Sequence, residues 1–159
     1  MSVQAADKLK DKFGDTVLET IEFRGETTVV VKKEDIVAVC AFLKEELGFN
    51  FLTDLCGVDY MGQDPRFMVV YHLYNIGTHT RLRIKAPVEE SDTRIDTVSG
   101  VWTTANWMER ETWDLMGITF NNHPDPRRIL MPDDWEGHPL RKDYPVQGPD
   151  REPYQDRLE

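Results

Sequence analysis

Long apolar runs and an excess of positive charge are both missing from this sequence. No stretch approaches the roughly 20 apolar residues of a membrane span, so no transmembrane segment is expected, and any membrane association should come through a partner. The opening "MSVQAADKLKDKFGD" lacks an apolar signal region, so no signal peptide is expected. Acidic residues outnumber basic ones 29 to 19. That balance excludes a broad phosphate-gripping surface for nucleic acid, and an anionic membrane would repel it. Cysteine is scarce. Cys40 and Cys56 are far apart and form no CxxC pair, so two free thiols in a reducing compartment are expected. An iron–sulfur cluster normally takes about four thiolates. Neither GxGxxG nor GxxxxGK[ST] occurs, so no phosphate-cradling loop is expected. The four histidines, His72, His79, His123 and His138, form no HxxxH or HExxH pair, and no metal site is expected from them.

What is present suits one globular domain. The 159 residues are 40% hydrophobic and 30% charged. Val3, Ala6, Leu9 and Phe13 have helical spacing, with Gly14 as the stop. Residues 17–31 read as a β-hairpin turning at "RGET". Ile36, Val39, Cys40, Leu43 and Leu47 make the clearest helical face, closed by Gly48. Three strands follow. "NFLTDLCGVDY" has a bulge expected at Gly57; "RFMVVYHLYN" comes next; "THTRLRIKA" alternates Leu82 and Ile84 with Arg81, Arg83 and Lys85. Residues 98–117 read as helix, with Asn106 as an internal N-cap, an Arg110–Asp114 pair across one turn, and Gly117 as terminator. The expected fold class is α+β, a mixed sheet with helices packed on one face over residues 1–120.

Residues 121–159 carry seven of the nine prolines, which forbids helix and interior strand. The same residues keep Ile129, Leu130, Trp135, Leu140 and Tyr144, which favour burial. The expectation is therefore an extended proline-rich C-terminal arm lying along another protein, reaching on the order of 100 Å if polyproline-like. Stiff chain around Arg127, Arg128, Arg141 and Lys142 lowers the entropy lost on docking. Glu109 and Glu111 could serve as a general acid and base in a free-standing hydrolase. They point to different sides of a helix, however, and no nucleophile lies nearby in sequence.

"ERETWDLMGITFNNHPDPRRIL" followed by "DDWEGHPLRKDYP" strongly resembles the signature of the 30-kilodalton subunit of NADH-quinone oxidoreductase, respiratory complex I. "FLTDLCGVDY", "RFMVVYHLYN" and "RLRIKA" fit the same family, so the resemblance spans roughly residues 50–145. Two departures are Pro126, where the family more often has Leu, and Met116, where Phe is common. The resemblance implies a peripheral-arm subunit without a cofactor of its own, in a complex that uses FMN and iron–sulfur clusters, oxidises NADH, reduces a quinone and moves protons. It implies docking on the 49-kilodalton-type subunit, which lines the quinone cavity, on the cytoplasmic side of the bacterial inner membrane. Position in the motif assigns Trp107, Glu109, Arg110, Glu111, Asp114, His123, Arg127, Arg128, Arg141, Lys142 and Asp143 to organising or bracing that interface. None is assigned a chemical step. A complex I-related membrane-bound hydrogenase contains a similar subunit and is the alternative.

Overall fold

The computed structural model of the chain describes residues 2–148. Helix α1 (Ser2–Phe13) buries Ala5, Ala6 and Leu9, while Val3, expected on that face, is exposed. Strands β1 (Val17–Phe23) and β2 (Glu26–Val31) form the expected hairpin. Its turn places Arg24 (φ 52°) and Gly25 (φ 79°) in the left-handed region, whose twist matches that of the flanking strands. Helix α2 (Ile36–Glu45) buries Ile36, Val39, Cys40 and Leu43. Beyond its end the Phe49 amide donates to the Leu43 carbonyl at 2.9 Å.

Strands β3 (Phe51–Asp59), β4 (Phe67–Asn75) and β5 (Thr80–Val88) complete a five-stranded sheet of order β1-β2-β5-β4-β3. The β2–β5 pair is parallel and the others antiparallel, so the sheet is mixed as expected. Period-two alternation decides its faces. Val29, Leu55, Tyr71 and Ile84 join the buried side chains of α1, α2 and helix α3 (Ala105–Met116) in one hydrophobic cluster. Arg81, Arg83 and Lys85 alternate with the buried residues of β5 and lie on the face opposite that cluster.

Three expectations need correction. The irregularity in β3 lies between Leu52 and Asp54, and Gly57 pairs regularly with Val69. Glycine is needed at 57 because α3 packs against it: a Cβ there would stand 3.0 Å from Thr112 Cγ2 and 3.1 Å from Ile118 Cδ1. Helix α3 begins at Ala105, so Asn106 lies inside it and is not its N-cap. Residues 98–104 form turns because Trp102 dives into the core, its Nε1–H donating to the Phe49 carbonyl at 3.2 Å. A short parallel pair, β6 (Arg94–Asp96) with β7 (Thr119–Asn121), was not expected, because three-residue strands carry too little pattern.

Candidate functional site

Helix α3 ends at Gly117, whose φ of 71° suits glycine, and its amide donates to the Trp113 carbonyl at 2.8 Å. Past β7 no helix or strand forms among the described residues, as the proline density predicts. Over residues 122–148 the expected arm does not leave the domain. It turns back across α3 as a strap, because α3 supplies partners for its backbone. The remainder of the expected arm, 149–159, lies outside the described residues.

Asp114 is the centre of this attachment. Its carboxylate is fully buried. Oδ2 accepts the amides of Ile129, Leu130 and Met131 at 3.0, 2.8 and 2.9 Å. Oδ1 accepts Arg128 Nη1 at 2.5 Å. Burial raises the pKa of this carboxyl, but the three amides and Arg128 outweigh it and hold the group below the ordinary carboxylate range. Arg128 also donates to the Trp135 carbonyl at 2.8 Å and lies over the Trp113 ring. Arg110 does not pair with Asp114. It donates to the carbonyls of Arg127 and Arg128, both at 3.0 Å, and stacks over Trp107. The reason is capacity, since three strap amides and Arg128 already occupy Asp114 and the strap carbonyls need a donor.

A second attachment joins the strap to the sheet. Arg66 grips Asp59 with two bonds of 2.9 and 2.8 Å. Asp59 also accepts the Lys142 amide at 2.8 Å, and Asp143 lies 3.0 Å from Arg66. Arg66 first, and the Lys142 amide after it, keep the Asp59 carboxyl below its usual range against the effect of burial. Arg141 Nε donates to the Met116 carbonyl at 2.7 Å, and Leu140 N–H to the Leu115 carbonyl at 3.0 Å. His138 Nδ1–H donates to the Asp114 carbonyl at 3.0 Å; burial pushes its pKa down.

The remaining expected residues are placed as follows. His123 Nδ1 accepts the Asp125 amide at 3.0 Å and Nε2–H donates to the Asn106 carbonyl at 3.0 Å, so this ring shapes the start of the strap. Arg127 is held by its neighbour Asp125 at 2.5 and 2.8 Å, not by a separate surface. Glu109 is buried, whereas Glu111 is exposed; the two do not converge on a common cleft. Lys142 contributes its backbone to the attachment, and its side chain is exposed. Asp59 and Arg66 do not stand out in the sequence. Asp59 ends β3 and Arg66 precedes β4, strands that carry other polar residues too, and the Lys142 amide that Asp59 accepts lies 83 positions away.

The attachments turn polar groups inward and leave apolar ones outside. Trp107, Leu130 and Leu140 are 61%, 55% and 57% exposed, and Val146 is also fully open. A concavity of about 590 Å³ lies on the sheet face opposite the helices, beside His72, Tyr74, Arg81 and Arg83. No helix of the described residues is long and apolar enough to cross a membrane. Among the described residues, no group of three or more His, Cys, Asp or Glu is placed to hold a metal ion.

The described residues form an α+β domain that uses its buried charges to clasp its own proline-rich strap. The chain belongs to the family of the 30-kilodalton subunit of respiratory-chain NADH dehydrogenase, whose sequence pattern matches residues 29–150. It is 68% identical over 155 residues to the corresponding NADH-quinone oxidoreductase subunit of Geotalea uraniireducens, covering 98% of this chain and 94% of that one. It is 63% identical over 156 residues to the same-named protein of Geobacter sulfurreducens, covering 98% and 96%. A trypsin-resistant fragment of Nqo5 superposes with a TM-score of 0.70 at 33% identity, over 79% of this chain and 99% of that one. A chain from an archaeal membrane-bound sulfane sulfur reductase superposes at 0.77 with 22% identity, over 97% and 96%, a likeness of fold alone. Membership makes the chain one subunit of NADH-quinone oxidoreductase, respiratory complex I, an oxidoreductase complex.

Proposed function

We propose that the chain is an assembly and docking subunit of the peripheral arm, and that the outer side of the strap, with Trp107, seats it on the 49-kilodalton-type subunit. The observation that carries this reading is the division of the strap. Its backbone is tied down internally by Asp114, Arg110, Arg141 and Asp59, while Trp107, Leu130 and Leu140 remain outside. Large apolar side chains beside arginines have the composition of interface hot spots. Arg110 beneath Trp107 fixes that ring in its outward position.

In this reading the chain holds no cofactor and performs no chemical step. The flavin, the iron–sulfur clusters and the quinone cavity belong to other subunits, and the complex places the chain on the cytoplasmic side of the inner membrane. The eleven motif residues divide by role. Trp107, Glu111, Arg127 and Lys142 face the partner; Glu109, Arg110, Asp114, His123, Arg128, Arg141 and Asp143 brace the surface from behind. Leu140→Asp tests this. The purified variant should unfold at the same denaturant concentration as the parent, while assembled complex disappears from native gels. Normal assembly with Leu140→Asp and with Trp107→Asp would refute the docking role.

A further inference from the structure

The Glu109 carboxylate is fully buried on α3, and burial lifts its pKa to about 7 despite bonds from Thr97 and Val98. Oε1 accepts the Val98 amide at 2.7 Å, and Oε2 meets Thr97 Oγ1 in a short hydrogen bond. The titratable groups around it come from three other elements. His123 Nε2, beyond β7, lies 3.6 Å from Oε2 but directs its proton to the Asn106 carbonyl. Cys40 of α2 and Tyr71 of β4 couple to Glu109, and burial first, then charge, pushes both upward, so neither competes for a proton at neutral pH. Arg110, the next residue of α3, is turned to the strap carbonyls.

Thr97 Oγ1 has one hydrogen and three polar neighbours. The Ser99 amide donates to it at 3.1 Å, Ser99 Oγ lies at 2.8 Å, and Glu109 Oε2 completes the set. With Glu109 ionised, the Thr97 hydrogen must point to the carboxylate and the Ser99 hydroxyl must donate to Thr97. With Glu109 protonated, its O–H points to Thr97 and the Thr97 hydrogen turns to Ser99. Every contact is satisfied in both states, and no heavy atom has to move. Thr97 and Ser99 both line an open concavity of about 500 Å³, together with Gly100, Thr103, Asn106 and Asn122.

We propose that Glu109 is a proton-binding site of the folded protein, loaded and emptied through the hydroxyls of Thr97 and Ser99. On uptake a solvent proton bonds to Ser99 Oγ, the original Ser99 proton passes to Thr97, and the original Thr97 proton passes to Glu109. Three O–H bonds form inside the chain, two break there and the third breaks in the hydronium donor, so the chain gains one proton net, the carboxylate holds the former Thr97 proton, and no electron is transferred. Release is the reverse. Glu109 braces the docking surface from behind, but the docking role does not require it to exchange a proton.

The test is carbon-13 NMR of side-chain-labelled glutamate in the full-length chain, assigned by the signal lost in Glu109→Gln. The parent should show one exchange-averaged carboxyl signal that titrates near pH 7. Thr97→Val should move the titration upward, because the ionised form loses its hydroxyl donor, and Thr97→Ser should restore it. Ser99→Ala leaves the carboxylate's own bonds in place and should slow proton exchange at least several-fold, broadening or splitting the signal. A Glu109 signal that does not titrate between roughly pH 5 and 9 would overturn the proposal, as would parent-like titration and exchange in both hydroxyl-deleting variants. Should Thr97→Val not fold, Ser99→Ala decides alone, since parent-like exchange there excludes the route.

Discussion

Arg128 and Asp114 meet at 2.5 Å beneath the strap, and the Asp114 oxygen not bonded to Arg128 collects three consecutive strap amides. The pair therefore does more than balance charge. The Asp114 carboxylate is the acceptor for the amides of residues 129–131, which have no helix or strand partner, and Arg128 offsets the charge that this arrangement buries.

Arg128→Ala leaves the buried Asp114 charge with its amides alone. Breaking a buried pair by removing one partner costs about 3–5 kcal/mol, and the lower end fits a carboxylate that keeps three donors. The expected result in denaturant unfolding of the purified chain is a loss of about 3 kcal/mol, with assembled complex lost as a consequence. Unchanged stability would show that the pair carries no load.

Gly117→Ala tests the crossing of strap and helix. Alanine at a φ of 71° costs about 1–2 kcal/mol by itself. Its Cβ would also stand 2.5 Å from both Arg141 Nη2 and His138 Cδ2, so the strap must shift. Trypsin should cleave the variant after Arg141 faster than the parent, and a parent-like digestion pattern would contradict this packing.

Stability should depend on pH with two limbs. Glu109 has a folded pKa raised from 4.5 to about 7. Between those values the folded state keeps a proton that the unfolded state has released, so stability falls as pH rises, by roughly 3 kcal/mol in total. Asp59, held down by Arg66, and Asp114, where amides and Arg128 overcome burial, act in the opposite sense. Their stabilisation is present above the ordinary carboxylate pKa and is lost as pH falls through their lowered values. His72 and His138, pushed down by burial, add stability as pH rises toward the ordinary histidine value and oppose the Glu109 limb, so that limb is the difference between the parent and Glu109→Gln in denaturation midpoints across pH. A difference that does not change with pH would contradict the assignment of that limb to Glu109.

Much of the fold was legible because its pattern is local. The periodic face of α2, the "RGET" turn and the alternation of β5 each lie within a few neighbouring residues. The strap was legible as proline-rich and lacking helix or strand, but its path was not. Proline density shows that a segment cannot pair its backbone in a helix or interior strand, and it does not reveal that Asp114 on α3 will accept the amides left over. The spacing of Arg110 and Asp114 suggested a helical pair, yet each side chain found better partners on the strap. Asp59 and Arg66 carried no legible signal because their meaning depends on Lys142 and Asp143, far away in the chain.

Hydroxyl-radical footprinting of the purified chain and of the assembled complex addresses the docking surface most directly. Trp107, Leu130 and Leu140 should be oxidised readily in the free chain, where all three are exposed, and protected in the complex. Equal oxidation of these three side chains in both samples would show that nothing covers the outer side of the strap, and would contradict the account.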